Sequence, residues 1–183
     1  AFIATLETMK SFAYMCKLYQ ADRIIAVATA AIRTAKNGAE LTALVEKETG
    51  INLHIISGTT EAYISYLGVI NTLSEKNGII FDLGGGSTEL ILFRDRKIVN
   101  SVSLPFGSVN MTGMFNTKNT MKANVYSDLS FFLSSQLSKY TWLKESKLPL
   151  MGVGGTARTV SKMLQKPKNY PPSKLHNYSF SAQ

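Results

Sequence analysis

The chain has 183 residues, of which 45% are hydrophobic, so it can bury the core of one large domain or of two smaller lobes and is not disordered throughout. Its 20 Lys and Arg residues outnumber its 12 Asp and Glu residues, and the net charge of +8 favours anionic partners, although a solvated basic surface would have the same composition. No apolar run reaches the length of about 18 residues that a membrane span needs, and Cys16 cannot pair within the chain, so we expect a cytoplasmic protein.

The beginning of the chain alternates between helical and strand patterns. Apolar residues spaced by three and four predict a helix over residues 2–19. Apolar runs at residues 24–28 and 52–56 predict short buried strands, and residues 37–49 between them predict a helix that ends at Gly50. This order of elements predicts an α/β fold.

A second lobe of a different kind is predicted from residue 77 onwards. Residues 57–61 predict a loop that enters another helix, and the polar stretch 74–78 then predicts a boundary between two lobes, residues 1–76 and 77–183. The predicted elements of the second lobe are strands at 78–83, 88–93, 98–104 and 148–153, and helices at 126–142 and 156–164. Residues 166–183 show no period and are expected to form a loop or docking segment.

The turn from Asp82 to Glu89 has the composition of an anion-binding site. Three glycines and then Ser87 and Thr88 follow an acidic residue at the end of a predicted strand. Glycine lets the backbone approach an anion closely and present successive N–H groups to phosphate oxygens. Asp82 can hold Mg²⁺, a hard cation that prefers carboxylate and phosphate oxygens. A β-hairpin that simply needs glycine to turn is the alternative.

A second glycine cluster, residues 152–157, follows a predicted strand and opens a predicted helix. Its spacing fits the G-x-G-x-x-A form of a dinucleotide-binding fingerprint, which requires an acidic residue about 20 positions later. No Asp or Glu follows Glu145, and the chain has no P-loop motif, so both nucleotide-binding interpretations fail. Close packing of a helix against a strand explains the cluster as well as a binding role does.

Five segments of the chain resemble, in order, the motifs of the exopolyphosphatase/guanosine pentaphosphatase (Ppx/GppA) family. They are residues 27–37, 55–62, 81–89, 103–107 and 152–158. The resemblance implies an actin-like (ribonuclease H-like) α/β fold of two lobes, with mixed sheets flanked by helices and the first lobe lacking its N-terminal strands. It also implies hydrolysis of the terminal phosphoanhydride of inorganic polyphosphate with Mg²⁺ or another divalent cation.

The resemblance implies specific roles for several residues. Glu61 would be the base that activates water, Arg33 would neutralise phosphate, and Asp82 would help to bind the metal. The implied phosphate-binding residues are Gly84, Gly85, Gly86, Ser87, Gly154, Gly155 and Thr156. A carboxylate within reach of the attacking water suits Glu61, and a planar guanidinium suits Arg33. A glutamate that stabilises a helix N-terminus and a surface arginine remain the alternatives.

The chain also departs from the family pattern. Family members usually begin with a phosphate loop of the Asp-x-Gly-Ser type, which does not precede Ala1, so we expect a fragment. Tyr63 stands where the family often has Arg. Guanosine pentaphosphate is the alternative substrate, and a non-catalytic sensor of polyphosphate or guanosine phosphates is the alternative class; an actin-like kinase or ATPase is a weaker third. We expect neither a membrane nor a nucleic acid as partner, and the resemblance admits a homodimer.

Overall fold

The computed structural model describes residues 2–117, 121–168, 171 and 174–181. The chain divides into two compact units, Ala1–Ser57 and Gly58–Gln183. The elements of the first unit are α1 (Phe2–Leu18), β1 (Ala26–Ala28), α2 (Ala30–Arg33), α3 (Gly38–Thr49) and β2 (Leu53–Ile55). Each predicted element of this region is therefore present, with bounds shifted by one or two residues, and the short helix α2 is additional.

The core of the first unit lies between a small sheet and two helices. Strands β1 and β2 pair in parallel, from Ala26 opposite Leu53 to Ala28 opposite Ile55. The buried residues of this core are Ala28, Leu41, Val45, Ile51 and Leu53. Helix α1 packs on them with Phe2, Leu6, Met9 and Ala13, which have the spacing that predicted the helix.

Gly50 ends helix α3 in the left-handed conformation, with φ +71°, and its N–H group bonds to the carbonyl oxygen of Glu46. Only glycine adopts this conformation freely, so Gly50→Ala is expected to lower the free energy of unfolding by about 1 kcal/mol. Gly68→Ala is a matched control, because Gly68 lies in a helix with open space around its Cα, and alanine there should add about 0.5–1 kcal/mol. Urea denaturation of both variants measures these opposite effects; equal shifts would contradict the expectation.

The second unit is built on a four-stranded sheet with the order β5–β4–β3–β6. Its elements are α4 (Gly58–Ile70), β3 (Gly78–Leu83), β4 (Thr88–Arg94), β5 (Lys97–Leu104), α5 (Ser108–Met114), α6 (Ala123–Leu137), α7 (Thr141–Glu145), β6 (Leu150–Val153) and α8 (Gly154–Gln165). Strand β3 runs antiparallel to β4 and parallel to β6, so the sheet is mixed. The predicted α/β class, with helices flanking a mixed sheet, is confirmed.

The two faces of this sheet are covered by different helices because side chains alternate along each strand. On one face, Ile80, Ile91 and Phe93 pack against α4. On the other face, Leu90 and Leu104 pack with Phe106 and with apolar residues of α6. This alternation puts the paired residues Asp82 and Glu89 on the α4 face of the sheet, the same face as the buried pair Ile80 and Ile91.

The structure differs from the sequence predictions in several places, the first being that α4 begins at Gly58, within the predicted loop 57–61. Helix α4, which the sequence places before the predicted boundary, lies in the second compact unit, where its buried apolar residues pack on the sheet. The division into lobes at residues 76 and 77 stays a prediction. The predicted helix over 126–142 is broken into α6 and α7, which lets Tyr140 and Trp142 pack into the same cluster as Phe106. Helix α5 was not predicted. Across the described part of the chain, no helix combines the length and apolar character needed to cross a membrane.

Candidate phosphate-binding site

The glycine turn joins β3 and β4 as an antiparallel hairpin. Leu83 and Thr88 form its last pair, and the N–H group of Gly84 donates to the carbonyl oxygen of Ser87 at 3.0 Å. The hairpin interpretation of this sequence is therefore correct, and it is compatible with an anion site. Whether the hairpin can also bind an anion depends on the direction in which the turn presents its N–H groups.

Helix α5 sets that direction by binding the carbonyl groups of the turn. The N–H groups of Ser108 and Val109 donate to Gly84 O and Gly85 O, both at 2.9 Å. The Asn110 side chain donates to the carbonyl oxygen of Gly86 at 3.1 Å. In a planar trans peptide the N–H group points opposite to the carbonyl group, so the N–H groups that follow these carbonyls point away from α5.

A cavity of about 480 Å³ lies beside the turn. It is lined by Leu83, Gly84, Gly85, Ser108, Gly155, Thr156 and Thr159. Four of the residues predicted to bind phosphate thus converge on one space: Gly84, Gly85, Gly155 and Thr156. The Thr156 hydroxyl also donates to Leu83 O at 3.0 Å, which ties the start of α8 to the end of β3.

The N-terminus of α8 makes this cavity suitable for an anion. Helix α8 is 12 residues long, and its described first turn contains no acidic residue and no capping side-chain hydrogen bond. The first N–H groups of a helix have no partner within the helix, and the helix dipole favours negative charge there. Together with the backbone of the glycine turn, this geometry can bind phosphate.

Three predicted phosphate-binding residues lie outside the cavity lining. Ser87 is buried, 3% exposed, and its hydroxyl interacts with the Glu89 carboxylate. Gly86 accepts a hydrogen bond from Asn110 through its carbonyl oxygen. Gly154 has φ +82°, and a Cβ there would lie 2.7 Å from Asp82 Oδ1, so glycine is needed for both conformation and space.

Three residues of the lining were not among the predicted site residues: Leu83, Ser108 and Thr159. Thr159 lies four positions after Gly155 on α8, and its hydroxyl donates to the Gly155 carbonyl oxygen at 3.0 Å. That i, i+4 spacing was a usable signal, since residues four apart share one helix face. Ser108 could not be assigned because the helix that it begins was not predicted.

Three carboxylates gather on the α4 side of the sheet, near the same strand ends. Asp82 and Glu89 are directly opposite each other in the β3–β4 register. Ser65 of α4 donates to Asp82 Oδ2 at 2.8 Å, and Glu61 precedes Ser65 by one helical turn. The predicted base and the predicted metal ligand therefore lie on elements held together by a direct hydrogen bond.

Glu89 is the buried member of this group, with 1% exposure. Burial raises the pKa of Glu89, and the negative charges of Glu61 and Asp82 raise it further, whereas hydrogen bonds with Ser103 and Ser87 lower it. The Ser103 hydroxyl donates to Glu89 Oε1 at 2.7 Å. Sequence reasoning placed Glu89 within the motif and gave it no role, because its burial depends on the packing of the sheet.

Glu89→Gln is expected to change how stability depends on pH. Because the pKa of Glu89 lies above its ordinary value of 4.5 in the folded protein, the folded state binds more protons than the unfolded state between these two values. The free energy of unfolding of the wild type therefore decreases as the pH rises through this window. Gln carries no charge and removes this loss, so the variant should gain stability relative to the wild type from pH 4 upwards. Parallel denaturation midpoints across the pH range would contradict this.

Arg33 lies in the first compact unit, at the end of α2. Its Nη1 atom donates to the carbonyl oxygen of Ile56 at 2.8 Å, so the main chain after β2 fixes the guanidinium. The other predicted site residues all belong to the second unit. The role of Arg33 stays a prediction.

The carboxylates fit a metal that is bound mainly by phosphate and water. Within the described residues, no three His, Cys, Asp or Glu side chains form a group that could hold a metal ion by themselves. Mg²⁺ commonly uses one or two carboxylates together with phosphate oxygens and water. Asp82, at a strand end beside the cavity-lining Leu83, has the ligand chemistry for such a site.

Comparison with known proteins identifies the relatives of this chain. A sequence model of the Ppx/GppA phosphatase family matches residues 2–183. The chain belongs to this family. A bifunctional 3-dehydroquinate synthase/phosphatase of Fusobacterium nucleatum is 32% identical over 94% of this chain and 27% of its own length. Exopolyphosphatase 1 of Mycobacterium leprae is 32% identical over 58% of this chain and 32% of its own length.

Solved structures of Ppx/GppA proteins share the fold. The family member from Aquifex aeolicus superposes with a TM-score of 0.74 at 30% identity, over 97% of this chain and 57% of its own. An exopolyphosphatase from Cytophaga hutchinsonii gives a TM-score of 0.75 at 21% identity, over 97% of this chain and 56% of its own. The predicted actin-like α/β class is thereby confirmed. The chain spans between about a quarter and a third of these two curated relatives and somewhat more than half of each structure.

Proposed function

We propose that this chain carries the phosphate-binding and water-activating residues of an exopolyphosphatase, which hydrolyses the terminal phosphoanhydride of inorganic polyphosphate. One observation carries the proposal: Gly84 and Gly85 of one glycine segment and Gly155 and Thr156 of the other line a single cavity at the N-terminus of α8. A terminal phosphate carries its charge on several oxygens. Backbone N–H groups and a helix N-terminus suit that charge without recognising any further part of the substrate.

The residues around the cavity take distinct roles in this proposal. The N–H groups of the glycine turn and of the first turn of α8 bind the non-bridging oxygens of the terminal phosphate. Asp82 holds Mg²⁺ or another divalent cation, which when bound neutralises charge on the phosphate oxygens. Arg33, to which the family resemblance assigns the neutralisation of phosphate, lies in the first compact unit, and its role stays a prediction.

Glu61 acts on the attacking water in this proposal. Its carboxylate accepts a proton from the water as the water oxygen bonds to the terminal phosphorus. The bond between that phosphorus and the bridging oxygen breaks, and the shortened chain leaves with the electron pair. Because phosphoryl transfer needs positioning and charge stabilisation more than covalent catalysis, a fixed carboxylate and a set of fixed N–H donors are sufficient machinery.

Guanosine pentaphosphate is the second candidate substrate. A guanosine-5'-triphosphate,3'-diphosphate pyrophosphatase of Pseudoalteromonas atlantica is 37% identical over 55% of this chain and 20% of its own length. The terminal 5′-phosphate of guanosine pentaphosphate presents the same chemistry to the cavity as the terminal phosphate of polyphosphate. Apart from Leu83, the cavity is lined by glycines and by the hydroxyl residues Ser108, Thr156 and Thr159, which suit either terminal phosphate.

Phosphate release from polyphosphate and from guanosine pentaphosphate tests the proposal. The assay uses the 183-residue chain and a chimera in which this chain replaces the matching part of the Aquifex aeolicus relative, each with Mg²⁺. We expect the chimera to release phosphate from polyphosphate. No release from either substrate by the chimera would overturn the proposal, and binding of both ligands without turnover would favour a sensor. ATP consumption in the same assay would indicate a kinase or ATPase.

A further inference from the structure

Ser65 makes a hydrogen bond that leaves its own helix and ends on a carboxylate. Ser11, Ser127 and Ser161 each donate to the carbonyl oxygen four residues earlier in their own helix, which is the common local bond of a helical serine. Ser65 instead donates across to Asp82 Oδ2 on strand β3, at 2.8 Å. Its hydroxyl therefore links two elements.

The bond to Ser65 restricts the Asp82 carboxylate from one side, and helix α8 restricts it from the other. Oδ2 accepts from Ser65, while Oδ1 lies against Gly154, where a Cβ would come within 2.7 Å of it. The carboxylate is thus held between the helix that carries Glu61 and the helix whose N-terminus lines the cavity.

The same bond sets the position of Glu61 relative to Asp82. Glu61 and Ser65 are four residues apart on α4, so they share one face of that helix. The hydrogen bond between Ser65 and Asp82 therefore restricts the rotation of α4 about its axis and its shift along β3. Both quantities set where Glu61 lies relative to Asp82. Ala62 and Tyr66, which follow Glu61 and Ser65 in sequence, pack on the sheet, so apolar contacts and the hydrogen bond together hold this end of α4.

We propose that Ser65 is a positioning residue, which orients Asp82 for a divalent cation and holds Glu61 in register with it. This inference rests on the proposed function, because it assumes that Asp82 binds the cation and that Glu61 activates water. Residues that bond to metal ligands in this way typically change metal affinity or activity by about 10–100-fold when they are replaced.

The test compares Ser65→Ala with Ser65→Thr, which keeps a hydroxyl, and with Ser127→Ala, which removes a hydroxyl bonded within its own helix. Mn²⁺ binding to the 183-residue chain is measured by electron paramagnetic resonance, with thermal denaturation to show that each variant is folded. We expect Ser65→Ala to weaken Mn²⁺ binding by about 10-fold, Ser65→Thr to recover most of it, and Ser127→Ala to bind as the wild type does.

A second readout uses polyphosphate hydrolysis by the chimera that contains the same variants. Ser65→Ala should lower kcat and leave KM for polyphosphate unchanged, because the N–H groups that bind the phosphate are not altered. Mn²⁺ affinity equal to that of the wild type in a folded Ser65→Ala variant would overturn the positioning role, and so would a wild type that binds no Mn²⁺. Absence of phosphate release with an intact difference in Mn²⁺ affinity would instead overturn the proposed function and leave the role of Ser65 supported.

Discussion

Replacing Glu61 with Gln is expected to reduce phosphate release from polyphosphate by about 10²–10⁴-fold, the usual contribution of a positioned general base. Gln has nearly the same size and shape as Glu but cannot accept a proton from water. Glu61 lies in the first turn of α4, one turn before the serine that is bonded to Asp82. The measurement is the initial rate of phosphate release by the chimera with and without the substitution.

The alternative role of Glu61 predicts a different result. A glutamate that serves only to stabilise the N-terminus of α4 would, when replaced by Gln, lower the free energy of unfolding by about 0.3–1 kcal/mol and leave the rate unchanged. Glu40→Gln is the matched control, since Glu40 is exposed in the first turn of α3. Unchanged activity together with reduced stability in Glu61→Gln would refute the catalytic assignment.

Gly107→Ala is expected to displace the glycine turn and to impair both stability and phosphate binding. Gly107 has φ −150°, an extended conformation that any residue adopts, so the requirement for glycine is one of space. An added Cβ would lie 2.6 Å from Gly84 O and from the carbonyl carbon of Gly85. These are backbone atoms that cannot rotate away, and overpacking of this kind lowers the free energy of unfolding by about 1–3 kcal/mol.

The effect on binding follows from the position of these atoms. Gly84 and Gly85 line the cavity, and their carbonyl groups are held by the first N–H groups of α5. Pushing α5 away from the turn breaks those hydrogen bonds, so the N–H groups of the turn are no longer held in one direction. Gly113→Ala is the control in the same helix, because no atom lies within 4 Å of a Cβ there. Calorimetric titration with tripolyphosphate and urea denaturation measure the two effects; tripolyphosphate affinity equal to that of the wild type in Gly107→Ala would contradict the proposed role of the turn.

Local patterns were sufficient to predict many elements of the fold. The spacing of Phe2, Leu6 and Met9 identified a helix face, and Gly50 identified a helix end, because both signals depend on residues a few positions apart. The break between α6 and α7 was not predictable in this way. Residues 126–142 keep a helical period throughout, and the helix ends where Tyr140 turns into a cluster formed by distant residues.

The candidate site shows the same division between local and distant information. The motif identified the glycine segments, and the structure brings Gly84 and Gly155 to one cavity. The sequence carried no indication that Glu89 is buried or that Ser65 bonds to Asp82. Both facts require α4 to be packed on the sheet.

The sequence by itself determined the family of this protein, its class of fold and the residue types of the candidate phosphate site. These properties reside in short segments whose order and spacing persist along the chain. The tertiary structure alone decided that α5 holds the glycine turn, that Thr156 bonds to Leu83 73 positions away, and that the charges of Glu61 and Asp82 act on the buried Glu89. The physical reason is that such contacts join residues far apart in sequence, so they exist only after the sheet and its helices have packed.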